Sequence, residues 1–507
     1  MEVIESNFTE QALVTVDNVQ LKSEYQNELP ENAKKVMCVT CQVLVQNTTV
    51  NDTEATLAGN LVLRTIFINE LDKYDSQEVV QPFEKKLAVK DLALYNHVFG
   101  QMNIAATNWR VQDKMINIDV LLNVTIKGVK THDVRVVSNL TGEVEVRQVE
   151  NKMLMFHAPL NEKFTIEENL ELEAGCEGIL GVDAGAMVKD VAAADGKVTI
   201  KGLVAANVIG VKTSDNGSVP YNGLHEIEFA KSMTVAGITD ADLACGAVSI
   251  TAVSMHVENS NNKGSVLVLK IDLQFNGCAY VYQTLPTVVD AISFDKELTF
   301  ETSQVEHHEI IPQVNTTVDI ESNLNLPANS PYIARVLAVD GIKINNLQVT
   351  AADGKTVVEG VLVANVLVEN EEHLVSNYLA ETPFQTHVRI DVMDSEYAVE
   401  ATVTPLMLNI KARRGVELLI DAQLGISVQA NSQKTMTVVT AVNVGKDKTD
   451  DGSAIRIYMI GDKENLWDLA KRTNLSCAEL LKQNPNLNNG CTPGERIVVY
   501  RHENVCL

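Results

Sequence analysis

Two stretches of the chain, AADGKVTIKGLVAANV at 193–208 and AADGKTVVEGVLVANV at 351–366, are close copies of each other. They match at an offset of 158 positions, which chance does not produce in a chain of 507 residues. A weaker third copy, DTEATLAGNLVLRTI, begins at Asp52 and keeps the same distance between its aspartate and its glycine. The equivalent glycines are Gly59, Gly202 and Gly360. The chain therefore contains three related units.

The similarity extends on both sides of these glycines. A short apolar segment precedes each of them, at 36–40, 180–183 and 337–340. An Ile-Asp pair follows each of them, beginning at Ile118, Ile271 and Ile420. The resulting period of about 150 residues is far longer than the 20 to 50 residues of a solenoid repeat. The units are therefore expected to be tandem domains.

Apolar and polar residues alternate strictly around each Ile-Asp pair. In the first run the residues between the apolar positions include Asn117, Asp119, Asn123 and Thr125. A period of two over ten residues predicts half-buried strands, with the isoleucines facing the cores. The Asp-Gly-Lys sequences at 195–197 and 353–355 predict hairpin turns. These patterns predict a mainly β protein with one β-sandwich-like domain per repeat.

The predicted domain bounds follow from the spacing of these signals. The first repeat, with an N-terminal extension, is expected at 1–155, the second at 160–305 and the third at 315–445. The polar run GKDKTDDGS then indicates a linker at 446–453 that lets the remaining tail orient independently.

The tail at 454–502 has a different pattern, typical of a small βααβ domain. Strands are predicted at 456–460 and 496–500, with helices at 465–472 and 476–482 between them. Ser476 and Glu479 have the spacing of a capping box for the second helix.

Charge and composition exclude several classes of function. The net charge of −26 disfavours a phosphate-binding surface, so nucleic acid is not an expected partner. The N-terminus has no basic and apolar signal pattern, and no run of 18 apolar residues occurs, which predicts a soluble cytoplasmic chain without a membrane span. Eight cysteines in 507 residues are too sparse for a disulfide framework.

Three motifs could suggest chemistry at a site. Cys38 and Cys41 form a single CxxC, but on a strand they point to opposite faces, so core cysteines are favoured over a redox or metal role. The sequence Glu-His-His-Glu at 306–309 gives each strand face one Glu and one His, which favours a solvated interdomain segment over a metal site. The glycines between 175 and 185 are not followed by the Lys-Ser or Lys-Thr of a phosphate loop. No catalytic triad or zinc motif is recognisable, so no enzyme activity, cofactor or metal is expected.

The tail resembles a LysM domain. The residues that carry the resemblance are Tyr458, Leu466, Trp467, Ala470, Leu480, Leu481, the segment Asn484-Pro485-Asn486-Leu487, Pro493 and Gly494. In that family two loops form a shallow groove for N-acetylglucosamine polymers, and here these are the loops at 461–465 and 484–489. The binding residues that the resemblance implies are Gly461, Asp462, Lys463, Glu464, Asn465, Asn484, Pro485, Leu487 and Asn488. The family usually has Gly-Asp-Thr or Gly-Asp-Ser directly before Leu-Trp, whereas this chain has Lys-Glu-Asn there.

The three repeats, followed by a LysM-like tail, are similar to the SPOCS domains of spore coat morphogenetic proteins in endospore-forming Firmicutes. This resemblance covers about four fifths of the chain. It implies a non-enzymatic scaffold in the mother-cell cytoplasm that anchors or encases the coat at the forespore surface. Its expected partner is a spore coat morphogenetic protein, bound through the LysM-like tail. The alternatives are a cell-wall or phage-tail component that binds peptidoglycan through N-acetylglucosamine, and a catalytic function.

Overall fold

The computed structural model describes residues 1–90, 92, 95–214, 217–260, 264–327, 330–352, 355–390, 397–449 and 453–500. The chain is mainly β, as predicted, with two α-helices in the described part, both near the C-terminus. Each repeat consists of six antiparallel strands. The first repeat contains β1 (Glu2–Glu28), β2 (Ala33–Val50), β3 (Glu54–Asn69), β4 (Tyr74–Ala88), β5 (Tyr95–Gln112) and β6 (Met115–Thr141).

The other two repeats reproduce this order of strands. The second contains β7 (Val144–Glu171), β8 (Cys176–Ala194), β9 (Lys197–Ser214), β10 (Gly217–Thr234), β11 (Leu243–Ser260) and β12 (Gly264–Ser293). The third contains β13 (Lys296–Asn325), β14 (Ile333–Ala352), β15 (Lys355–Asn370), β16 (Val375–Val388), β17 (Tyr397–Arg413) and β18 (Glu417–Asp447). The predicted repeat boundaries near 155–160 and 305–315 therefore fall inside β7 and β13.

Two three-stranded sheets form each repeat. The first, sixth and fifth strands make one sheet, and the second, third and fourth strands make the other. Their facing sides share one apolar core in each repeat, and Ile118, Ile271 and Ile420 are buried in these cores. Asp195 and Gly196 both have positive φ at the β8–β9 turn, which confirms the first predicted hairpin. Residues 353 and 354 of the second predicted hairpin lie outside the described residues.

The three repeat glycines occupy equivalent positions, each the sixth residue of the third strand. The strand register pairs them with Phe83, Phe229 and Phe384. A Cβ on Gly202 would lie 2.2 Å from Cζ of Phe229. The glycine therefore leaves room for the aromatic ring of the neighbouring strand.

The repeats close into a ring around a common axis. The fourth strand of each repeat contacts the second strand of the next, and β16 of the third repeat contacts β2 of the first. An apolar cluster at the axis takes equivalent residues from all three repeats. Its members include Met37, Leu180 and Leu337, and Ile66, Ile209 and Leu367.

The first and last strands of each repeat continue beyond the sheets as three two-stranded ribbons. These ribbons pack together through a second set of apolar residues, which we call the stalk. One of its clusters contains Val136, Met153, Leu285, Val305 and Val438. The turns that join one repeat to the next lie at the end of the stalk.

The C-terminal module consists of β19 (Ile455–Met459), α1 (Leu466–Thr473), α2 (Cys477–Gln483), a 3-10 helix (Pro485–Asn489) and β20 (Arg496–Tyr500). The two strands pair antiparallel, which gives the predicted βααβ order. The side chain of Ser476 accepts a hydrogen bond from the backbone N–H of Glu479, so Ser476 caps α2, whereas the side chain of Glu479 accepts from Gln483 and does not complete the predicted capping box.

Candidate functional site

A polar cluster lies at the ring axis, next to the apolar one. Each repeat contributes one cross-strand pair from its second and third strands, at equivalent positions. The pairs are Thr40–Arg64, Asp183–Asn207 and Asp340–Asn365. The first repeat thus has a threonine and an arginine where the other two have aspartate and asparagine.

Arg64 connects all three repeats. Its Nη1 donates to Oδ1 of Asp183 at 3.0 Å and to Oδ1 of Asp340 at 2.8 Å. Its Nη2 donates to the backbone oxygen of Val182 at 2.7 Å. Arg64 is 4% exposed and Asp340 is completely buried. Water therefore screens the Arg64–Asp340 pair little, whereas the side chain of Asp183 is 20% exposed.

The cluster contains one guanidinium, the carboxylates of Asp183 and Asp340, and a third carboxylate, Glu78, whose Oε2 lies 3.7 Å from Nε of Arg64. Burial, followed by the neighbouring charge of Asp183, raises the pKa of Asp340 to about 7. Thr40 donates through Oγ1 to Oδ2 of Asp340 at 3.2 Å, and the N–H of Gly341 donates to Asp183 at 2.7 Å. The fold therefore favours the protonated form of the Asp340 carboxyl more than water does.

Amide side chains add to the junction between the second and third repeats. Nδ2 of Asn207 and Nδ2 of Asn222 both donate to the backbone oxygen of Val339, at 3.1 and 2.8 Å. The N–H of Val339 donates in return to Oδ1 of Asn222 at 2.7 Å. These bonds pair the backbone of β14 with side chains of β9 and β10.

The glycine-rich segment of the second repeat serves packing in this structure. A Cβ on Gly181 would lie 2.2 Å from Nε of Arg64, and a Cβ on Gly185 would lie 2.8 Å from Cγ2 of Thr404. A side chain at Gly181 would therefore displace the guanidinium of Arg64.

A cavity of about 1120 Å³ lies beside the polar cluster and is lined by all three repeats. Much of its wall is amide, including Gln42, Asn123, Asn276 and Asn345. Asn123 belongs to the polar face of the alternating run, so that face borders a cavity between repeats. Its lining also includes the charged residues Arg64, Asp183 and Lys343, so the cavity offers both neutral and charged hydrogen-bonding groups.

The cysteines of the CxxC motif enter two different cores. Cys38 packs in the apolar cluster at the ring axis, and Cys41 packs against the core of the first repeat. Burial raises the pKa of Cys41 to about 12 and raises the pKa of Cys38 as well. Both thiols are therefore protonated at neutral pH, whereas nucleophilic chemistry and metal binding need the thiolate.

The Glu-His-His-Glu sequence lies on β13 in the stalk and not in a connecting segment. Oε2 of Glu309 accepts hydrogen bonds from Tyr397 and Lys434. The side chain of His308 lies outside the described ones. Among the described residues, no group of three or more His, Cys, Asp or Glu side chains is placed to hold a metal ion.

The predicted binding loop at 461–465 is held by its own contacts. The side chain of Glu464 accepts from the N–H of Gly461 at 2.8 Å and pairs with Arg472 at 3.0 Å. Asn465 caps α1 through a reciprocal pair of hydrogen bonds with Asp468. Asp462 and Lys463 remain exposed. The loop is thus rigid, with one acidic and one basic side chain on its surface.

The second predicted binding loop is only partly available to a ligand. Asn484 is buried, and Leu487, which is 4% exposed, belongs to the core of the module. Pro485 and Asn488 are exposed. A polar substitution of Leu487 would therefore destabilise the module, so its effect on binding would not report on a surface contact.

The module is docked on the end of the stalk through Asp290. Nε1 of Trp467 donates to Oδ2 of Asp290 at 2.9 Å, and Nζ of Lys471 contacts both carboxylate oxygens at 2.7 Å. Ile292 and Phe294 of the stalk pack against the apolar core of the module. Trp467 thus packs against the core of the module and also binds the body.

Three further contacts fix this position. Nδ2 of Asn474 donates to the backbone oxygen of Phe294 at 2.6 Å, and Nζ of Lys448 donates to Oδ1 of Asn474 at 2.8 Å. The N–H of Cys477 donates to Oε2 of Glu145 at 2.8 Å. The prediction of an independently orienting tail is therefore wrong, and β18 extends to Asp447, inside the predicted linker at 446–453.

Comparison of the chain with protein-family models, with curated proteins and with solved structures found no match. The resemblances to SPOCS and LysM domains therefore stay predictions. Neither helix in the described part of the chain is long and apolar enough to cross a membrane.

The polar cluster and the docking contacts were not predicted. The sequence nevertheless contained a signal for the polar cluster. Asp183 and Asp340 occupy equivalent positions in the second and third repeats, and so do Asn207 and Asn365. Arg64 occupies the position equivalent to these asparagines. A charged residue at a position where the other two repeats have a neutral one indicates a contact between repeats.

Proposed function

We propose that this chain is a non-enzymatic scaffold in spore coat assembly, anchoring or encasing the coat around the forespore. The observation that carries the scaffold proposal is the closed ring, in which Arg64 joins Asp183 and Asp340 of the other two repeats. A ring of this kind presents its surfaces at fixed positions, as a scaffold requires. The assignment to the spore coat rests on the resemblance to SPOCS and LysM domains.

The proposed place of action is the mother-cell cytoplasm, at the forespore surface. There the partner is a coat morphogenetic protein, bound by the C-terminal module as adaptor. Charge supports this division of roles. The region 454–507 has seven Lys or Arg against six Asp or Glu, whereas the whole chain has a net charge of −26. A nearly neutral module approaches an acidic partner with less repulsion than the acidic body does.

A fluorescent fusion imaged in sporulating cells tests the proposal. We expect a ring around the forespore for the full chain, and diffuse mother-cell fluorescence for a variant that ends at residue 449. The unchanged unfolding transition of the purified truncated protein is the control for folding of the body. Labelling of vegetative cell walls, with saturable binding of the full chain to chitin oligomers, would instead support the peptidoglycan-binding alternative.

A further inference from the structure

The two-stranded sheet of the C-terminal module has one face that nothing in the described structure covers. On the inner face, Ile497 and Val499 are completely buried. On the outer face, Ile455, Ile457 and Met459 are 58%, 67% and 56% exposed. The strand register pairs them with Tyr500, Val498 and Arg496 on the same face. Single exposed apolar residues occur elsewhere in this protein, but three in alternation on one five-residue strand form a contiguous apolar patch, which is typical of an interaction site.

The two edges of this sheet differ. The outer edge of β20 is closed by two amide side chains from the end of α2. Asn484 accepts from the N–H of Val498 and donates to its carbonyl oxygen, both at 2.8 Å. Gln483 likewise accepts from the N–H of Tyr500 at 2.8 Å and donates to its carbonyl oxygen at 2.9 Å. These amides occupy the place that a third strand would take beside β20.

This closure determines the direction of the β19 backbone groups. Because Val498 and Tyr500 direct their N–H and C=O groups to the amides, they form non-hydrogen-bonded pairs with Ile457 and Ile455. The N–H and C=O groups of those two isoleucines therefore point to the outer edge of β19. No described residue pairs its backbone with that edge, and the carbonyl of Met459 at its end accepts from Arg472 at 2.7 Å.

We propose that the open edge of β19 binds an extended segment of another protein by strand addition. The segment pairs its backbone with Ile455 and Ile457 and places apolar side chains beside theirs. It carries an acidic residue near Arg496, which is the charged residue that the strand register places on this face among the described residues. Strand addition supplies affinity through main-chain hydrogen bonds and specificity through alternate side chains. This inference rests on the adaptor role proposed above and specifies its binding surface.

Charge and area favour another protein over a second copy of this chain. Two copies would bring together two chains that carry a net charge of −26 each. A five-residue edge also buries far less than the roughly 1,200 Å² that stable protein pairs need. A short segment of another protein avoids the repulsion between two strongly acidic chains, and Arg496 offers an opposite charge to its acidic residue.

Peptide display against the full chain tests this inference, followed by fluorescence titration with the enriched peptides made synthetically. We expect enrichment of peptides with alternating apolar residues and an Asp or Glu. Ile457→Pro removes an outward N–H, which edge strands tolerate, and should weaken peptide binding by at least about tenfold. Ile457→Thr keeps the N–H and should weaken it less. Leu71→Glu, which puts the same charge at an exposed apolar position between β3 and β4 of the first repeat, is the matched control for Ile457→Glu and should leave binding unchanged.

Ile457→Glu keeps the backbone and changes an exposed side chain, so it is the second variant if the proline variant fails to fold. It should also weaken binding of the acidic peptides. Three results overturn the inference: no enrichment of alternating apolar peptides, equal binding by the wild type and both edge variants, or a dimer of the chain that Ile457→Glu dissociates. A forespore ring that depends on the module but persists in Ile457→Glu would overturn this inference and leave the adaptor proposal intact.

Discussion

Arg64 in the first repeat donates a hydrogen bond from Nη1 to Oδ1 of Asp340 in the third repeat, at 2.8 Å. The two residues are 276 positions apart in the chain. The same Nη1 also bonds Asp183 of the second repeat at 3.0 Å. One buried side chain thus joins three domains, and removing it leaves Asp340, which is completely buried, and Asp183, whose side chain is 20% exposed, without their cation.

Replacement of Arg64 by leucine should destabilise the ring strongly. Removing one partner of a buried ion pair typically costs about 3–5 kcal/mol, because the remaining charge stays buried. We expect the midpoint of urea unfolding to fall accordingly. The control is Lys34→Ala, which removes an exposed pair with Asp72 and should cost less than about 1 kcal/mol. Equal midpoints for both variants would show that the cluster does not hold the repeats together.

The stability of the ring should fall as pH rises from about 5 to about 8. The pKa of Asp340 is about 7 in the folded chain and 3.8 without the fold, so between these values the folded state binds the extra proton. Stability is then lost as pH rises through the folded-state pKa, by about 1–3 kcal/mol over this range.

Asp340→Asn supplies the control for this pH dependence, because it removes the titration and keeps a polar side chain of the same size. We expect the free energy of unfolding, measured in urea at several pH values, to depend less on pH in the variant. A wild type and variant with parallel pH profiles would contradict the assignment to Asp340.

Alanine substitutions at two glycines of β8 should differ sharply. At Gly181 the new Cβ would lie 2.2 Å from Nε of Arg64, so the guanidinium must move away from its carboxylates. At Gly178 no atom lies within 4 Å of the new Cβ. Gly181→Ala should therefore lower the melting temperature by several degrees, whereas Gly178→Ala should change it little. Similar shifts of the melting temperature in both variants would mean that the loss of stability comes from the strand backbone and not from the displaced guanidinium.

Asp290→Ala should release the C-terminal module from the stalk without unfolding it. The variant loses the hydrogen bond from Trp467 and the ion pair with Lys471. The chain has two tryptophans, so Trp109→Phe leaves Trp467 as the single reporter. We expect a red shift of its fluorescence and faster proteolysis between β18 and β19. Asp240→Ala, at an exposed position, is the control, and unchanged spectra in both variants would mean that the apolar contacts alone hold the module.

The sequence by itself determined the parts of this protein that depend on local periodicity. Alternation around Ile118, Ile271 and Ile420 predicted strands and their inward faces, because a side chain on a strand changes face at every residue. The repeated segments around Gly202 and Gly360 predicted that these two glycines occupy equivalent strand positions in their repeats. The βααβ order of the module followed from its capping residue and apolar spacing.

Only the tertiary structure decided what the polar faces meet. Alternation separates Asn123 from the core, but it does not distinguish open solvent from a cavity between repeats. Likewise, the resemblance to LysM domains implied that Asn484 and Leu487 bind a ligand, whereas in the structure Asn484 closes a sheet edge and Leu487 packs in the core of the module. The meeting of Arg64 with Asp340 depends on the closure of three repeats into a ring. That closure is a sum of contacts between distant segments, and no local pattern in the sequence encodes it.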